Sequence, residues 1–104
     1  QAKGFLEDHW SAIKDLTTCI ELAPNFALAY YSRASWYDYL GKKTEAKNDY
    51  EQCVKLDSTN FDAYISLASV YSDLRENEKA CETINKAINA GSVKAEELKV
   101  NFCK

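Results

Sequence analysis

Glycine and proline are scarce: the 104-residue chain has three glycines and one proline. A sandwich or barrel of many short strands needs far more turn residues, so helices are favoured. An excess of positive charge is also missing. The net charge is −3 and the signs alternate along the chain. No basic stripe is available to track phosphates, which argues against a nucleic-acid partner. No apolar run reaches the length of a membrane span, and no signal-peptide pattern opens the chain. The first residue is Gln1, as expected for a fragment or a processed product.

Catalytic signatures are equally sparse. There is no Gly-rich phosphate loop, H-E-x-x-H or G-x-S-x-G. His9 is the single histidine. Placed in a loop before Trp10, it is expected to be solvated, and a general base would need a positioned partner. The four cysteines, Cys19, Cys53, Cys81 and Cys103, contain no C-x-x-C pair, so zinc knuckles and thioredoxin-like motifs are unsupported. They are expected to be thiols that pack as small apolar residues, which fits a reducing, cytoplasmic setting. Neither metal nor cofactor is expected, and the chain does not look like an enzyme.

What is present is repetition. Apolar residues make up 46% and charged residues 28%, ordinary for a globular protein with a core. Three segments beginning at Ala12, Ala46 and Ala80 align without gaps at an interval of 34 residues. Cys19, Cys53 and Ala87 follow at the same interval. Between them lies a second recurring unit, Ala29-Tyr30 through Tyr37 and Ala63-Tyr64 through Tyr71, again offset by 34. Leu16, Cys19 and Ile20, then Tyr50, Cys53 and Val54, follow i, i+3, i+4 spacing, as do Tyr64, Leu67, Ala68, Tyr71 and Leu74. Each unit therefore reads as a helix. Gly41-Lys42-Lys43-Thr44 and Arg75-Glu76-Asn77 read as turns within helix pairs. Pro24-Asn25, Asp57-Ser58-Thr59-Asn60 and Gly91-Ser92 end the second helix of each pair, supplying Asn, Ser or Thr before a helix and Gly after one.

Paired helices with a 34-residue period resemble the tetratricopeptide repeat. The residues that carry the resemblance are Tyr30, Ala34, Tyr37, Gly41, Ala46, Tyr50, Cys53 and Leu56 in one copy. In the next they are Tyr64, Leu67, Ala68, Tyr71, Ala80, Ile84 and Ala87. A preceding partial copy keeps Ala12, Leu16, Cys19, Leu22 and Pro24. The resemblance implies an all-α, right-handed superhelix of antiparallel helix pairs. It divides into a partial repeat at 1–26, whole repeats at 27–60 and 61–94, and a capping helix at 95–104. In that last helix Ala95, Leu98 and Phe102 share one face. Arg33 stands where the next copy has Leu67, so its stem is expected to pack while its head reaches an acid or water. The amino-terminal end is expected to leave Trp10 and Ile13 incompletely covered.

By the same resemblance, the concave face is lined by the first helix of each pair. It would carry Leu28, Tyr31, Ser35, Asp38 and Tyr39, then Asp62, Ile65, Ser69 and Asp73. Ser32, Ser66 and Ser72 fall on the same helices. Aromatic anchors, small serines and acids in one groove suit a peptide or helix that brings apolar side chains and a basic residue. Packing of these side chains against neighbouring helices is the bland reading. Some members of the family clamp a terminal carboxylate of chaperones with Lys, Asn and Arg. Here Leu28 and Asp62, with Ser32 and Ser66, occupy those slots and give no cationic grip, so a chaperone tail is an unfavoured ligand. Lys47, Glu51, Lys55, Glu78, Glu82 and Lys86 read as a solvated convex face, with Lys47–Glu51 and Glu82–Lys86 as i, i+4 pairs. The implied function is a protein-interaction scaffold, part of a larger protein. The competing reading is a self-assembly module that forms a homo-oligomer through the uncovered Trp10 end.

Overall fold

The computed structural model describes residues 2–103, with side chains from His9 onward. Six helices follow one another: α1 (Ala2–Leu22), α2 (Ala27–Tyr39), α3 (Lys43–Leu56), α4 (Phe61–Asp73), α5 (Asn77–Asn89) and α6 (Val93–Phe102). No strand occurs among the described residues. Each helix packs on the next in sequence, and α4 also touches α6. The result is an elongated body of 41 × 29 × 19 Å, as a solenoid built from neighbouring contacts should be.

The turns explain the antiparallel pairing. After α2 the chain closes through Lys42 N–H donating to the Tyr37 carbonyl at 2.8 Å, and after α4 through Glu76 N–H donating to Tyr71 at 2.8 Å. This six-residue closure needs a left-handed residue just before the donor. Gly41 supplies it at φ 81° and Arg75 at φ 64°. The pairs themselves are linked by a different turn, in which Phe26 N–H reaches Ala23 and Asn60 N–H reaches Asp57.

Small residues let the helices cross closely. Ala34, Ala46, Ala63, Ala68 and Ala95 are fully buried, and Ala29 and Ala80 nearly so. Tyr50, Cys53, Tyr64, Leu67, Val70, Tyr71 and Ile84 fill the space between them. Burial pushes the Tyr50 phenol and the Cys53 thiol above their ordinary pKa values. Arg33 fulfils its expectation: its Nε donates to Asp49 Oδ2 at 2.7 Å and its Nη2 to Asp49 Oδ1 at 2.9 Å. A third bond runs from Nη1 to Thr17 Oγ1 at 3.1 Å and ties α1 to the pair.

Several expectations are corrected. The loop expected before Trp10 does not occur; α1 runs unbroken from Ala2 to Leu22. His9 is therefore helical and buried, with its ring edge-on to Trp36 at 4.7 Å and stacked on Tyr39 at 4.8 Å. Ile13 is buried as well, and Trp10 alone of that pair stays half exposed. Thr44 and Asn77 lie inside helices rather than in turns. Side-chain caps form at Asn60, which accepts from Ala63 N–H at 3.1 Å, and at Ser92, which accepts from Ala95 N–H at 3.1 Å. Phe26, Lys42 and Glu76 provide none.

The last helix starts early. Ser92 N–H closes onto the Ala87 carbonyl at 3.0 Å, with Gly91 at φ 114°. The flexible glycine permits a shorter turn than the one after α3. Counted between the caps Asn60 and Ser92, the interval falls from 34 to 32 residues, and α6 begins at Val93 instead of residue 95. Ala95 is still buried, and Leu98 and Phe102 are half buried on its face.

The cysteines also differ from expectation. Cys81 and Cys103 form a disulfide across α5 and the end of α6. Cys19 and Cys53 are free thiols. Antiparallel packing brings together two residues that no sequence spacing marks as a pair. The bridge also removes the ground for inferring a reducing compartment.

Candidate functional site

The nine groove residues sit on α2 and α4, and their surroundings separate them into two groups. Tyr31 and Ile65 are half buried against the core. The Tyr31 ring lies 5.8 Å from that of Tyr50 on α3. Ser35 fixes this corner, donating to the Tyr31 carbonyl at 3.1 Å and sharing a 3.2 Å hydrogen bond with the Tyr50 hydroxyl. These three residues spend much of their surface on packing. By contrast, Leu28 is 55% exposed and Tyr39 is 64% exposed. Asp62 and Ser69 are also exposed. Large apolar groups this exposed, at the two ends of α2, are candidate anchors.

The acids are less free than their number suggests. Lys43 Nζ donates to Asp38 and forms an ion pair with Asp73 at 3.0 Å. One lysine at the start of α3 thus joins an acid from each of the two whole repeats. Hydrogen bonds to Asp38 and then to Asp73 raise the Lys43 pKa. Two carboxylates and one ammonium leave one net negative charge at that end of the groove. Asp62, at the other end, has no ion pair among the described residues. Lys43 was not foreseen. Its sequence position inside a run of turn-like residues gives no sign that it points toward α4.

The convex face is corrected in the same way. Lys47 pairs with Glu76 at 3.9 Å rather than with Glu51. Glu51 instead accepts a hydrogen bond from the Tyr71 hydroxyl. No ion pair between Glu82 and Lys86 forms. Burial, followed by the hydrogen bond to Glu51, drives the Tyr71 pKa far above the ordinary tyrosine range.

Clefts also lie elsewhere among the described residues. One of about 670 Å³ is lined by Asn77, Glu78, Cys81 and Glu82 of α5 with Asn101, Phe102 and Cys103. Another of about 390 Å³ lies among Glu51, Val54, Tyr64, Tyr71 and Lys86. Neither includes any of the nine groove residues. No group of His, Cys, Asp and Glu able to hold a metal occurs among the described residues. No described helix is long and apolar enough to cross a membrane.

Helix pairs stacked so that each helix contacts the next define a helical-repeat protein. The comparisons with known proteins make this specific. Tetratricopeptide-repeat sequence profiles match residues 27–60 and 49–82. The chain belongs to the tetratricopeptide repeat family. It is 38% identical over 72 residues to the Hsp70-Hsp90 organizing protein of Triticum aestivum, covering 69% of this chain and 12% of that protein. Serine/threonine-protein phosphatase T of Trypanosoma brucei brucei is 32% identical over 93 residues, which is 83% of this chain and 20% of that protein. The chain therefore spans a fifth or less of these relatives. Among solved structures, the TPR2B domain of yeast Sti1 in complex with pHsp70 superposes with a TM-score of 0.77 at 28% identity. That match covers 92% of this chain and 83% of the other. The Sgt2 TPR domain from Aspergillus fumigatus superposes at 0.79 with 23% identity, covering 97% and 70%, and speaks for the fold alone.

Proposed function

We propose that the concave face formed by α2 and α4 binds a peptide segment of a partner protein. Its anchors are Leu28 and Tyr39, its floor is Tyr31, Ser35 and Ile65, and Asp62 receives a basic side chain. The observation that carries this reading is the exposure of Leu28 and Tyr39 beside half-buried neighbours, a pattern typical of an anchor rather than a core residue. The similarity to the TPR2B domain of yeast Sti1, solved in complex with pHsp70, supports a binding role in general terms.

The proposed ligand differs in chemistry from an acidic tail. Arg33 is committed to Asp49, and Lys43 to Asp38 and Asp73. Leu28, Ser32, Asp62 and Ser66 offer no cation where a carboxylate clamp would need one. A segment with an apolar residue close to a lysine or arginine fits better. The module is read as non-catalytic: buried His9 lies between aromatic rings and is not a solvated base.

An array of immobilised peptides tests the proposal. Peptides pairing an apolar with a basic residue should bind, and carboxylate-rich ones should not. Leu28→Ala and Tyr39→Ala should each weaken binding by about tenfold or more, with helicity retained. Unchanged binding by the double variant would remove this face from consideration. Self-assembly through the amino-terminal end has less to support it, because Ile13 is already buried within the chain.

A further inference from the structure

The Cys81–Cys103 disulfide ties down a helix that burial holds weakly. In α4, six residues are buried, and in α5, four; in α6, Ala95 alone is. Leu98 and Phe102 are half buried, while Val93 and Val100 are exposed. The start of α6 is fixed by Gly91 and the Ser92 cap. Its far end is held by the partial packing of Phe102 on the core and by the bridge, which joins that end to the first turns of α5. Both cysteines also line the cleft of about 670 Å³, so the sulfurs lie at a wall that solvent molecules reach.

We infer that this bridge is a redox latch: a dithiol reductant acting at the α5–α6 cleft opens it and releases the last turn of α6. A reductant thiolate attacks one sulfur, the Sγ–Sγ bond breaks, and a mixed disulfide forms. The second thiol of the reductant then displaces the remaining cysteine. The reductant leaves as a disulfide, having given up two electrons and two protons, and Cys81 and Cys103 become thiols. Phe102 loses its tether and frays away from α5. Counted from the caps, α6 carries Lys94 and Glu97 where α4 carries Asp62 and Ile65. These two lie in the capped first half of α6, so the latch leaves them in place and frees Lys99 to Cys103; the opening of α6 does not rest on the peptide-groove reading.

Hydrogen exchange of the full chain with and without dithiothreitol reads the opening directly. For a loop closed between residues 81 and 103, the entropic effect sets a ceiling of a few hundredfold on the increase. Exchange at Lys99 to Cys103 should rise on the order of a hundredfold, with α2 to α4 unchanged. Under native conditions, iodoacetamide should modify Cys81 and Cys103 after dithiothreitol and not before. The double variant Cys81→Ser, Cys103→Ser should match the reduced protein and ignore dithiothreitol; should it fail to fold, the wild-type comparison decides alone. Unchanged exchange in α6, or an equal rise in every helix, overturns the latch. So does alkylation of the two cysteines without reductant. A failure of peptides to bind would leave these measurements standing and would count against the groove only.

Discussion

The Arg33–Asp49 pair offers a transplant experiment written in the chain itself. The following repeat has Leu67 and Thr83 at the corresponding positions, one interval of 34 later, and both are buried. The side chains of Arg33 and Asp49 are 18% and 8% exposed. Replacing Arg33 by Leu leaves a nearly buried carboxylate without its two charge-assisted hydrogen bonds. Losing one partner of a buried pair costs about 3–5 kcal/mol, and residual solvent access places this case near 3 kcal/mol. Asp49→Thr should cost less, about 1.5 kcal/mol, because the longer Arg33 side chain can swing its head to water. The double variant Arg33→Leu, Asp49→Thr installs the uncharged pair of the next repeat. It should return to within about 1 kcal/mol of the parent, a coupling of at least about 3.5 kcal/mol. Urea unfolding followed by circular dichroism measures all three. Against a total of roughly 5–15 kcal/mol, the Arg33→Leu loss would lower the melting point by about 15 °C. If the double variant were no more stable than Arg33→Leu alone, or if Arg33→Leu cost under about 1 kcal/mol, the pair would not be organising this interface.

Other positions lend themselves to the same comparison between copies. Arg75→Gly should stabilise the chain by about 0.5–1 kcal/mol, because Arg75 holds the left-handed φ of 64° that Gly41 adopts freely at 81°; Gly41→Ala should cost a similar amount in thermal unfolding, although its side has open space. Phe26→Asn should gain about 0.5–1 kcal/mol by supplying the cap that Asn60 makes to Ala63, and Asn60→Ala should lose about 1 kcal/mol. At alkaline pH the sign follows from Tyr71, whose folded pKa lies above its unfolded value. Its stabilising contribution is complete below about pH 10 and is lost as pH rises beyond that, since the unfolded chain gives up the proton first. Tyr71→Phe should flatten the fall in melting temperature across that range, and an unchanged slope would refute the assignment.

The repeat carried much of the fold openly. A period of 34 residues, alanines at close crossings and apolar i, i+3, i+4 stripes have local causes, so sequence displays them. The packing of Arg33 onto an acid was legible for the same reason: a charge in a slot that is apolar one copy later must find a partner or water. The candidate groove was legible as a row of residues, but not its state. Whether Tyr31 is anchor or core depends on Tyr50, and whether Asp38 and Asp73 are free charges depends on Lys43.

By itself, then, the sequence determined an array of antiparallel helices whose first helices bear Leu28, Tyr39 and Asp62, because helix propensity and burial repeat with the chain. Tertiary structure alone decided the rest. It placed His9 between two rings, shortened the last interval to 32 residues through Gly91, drew Lys43 between two repeats and set Cys103 against Cys81. These are meetings of side chains from different helices, and their geometry is fixed by how the helices pack rather than by any spacing along the chain.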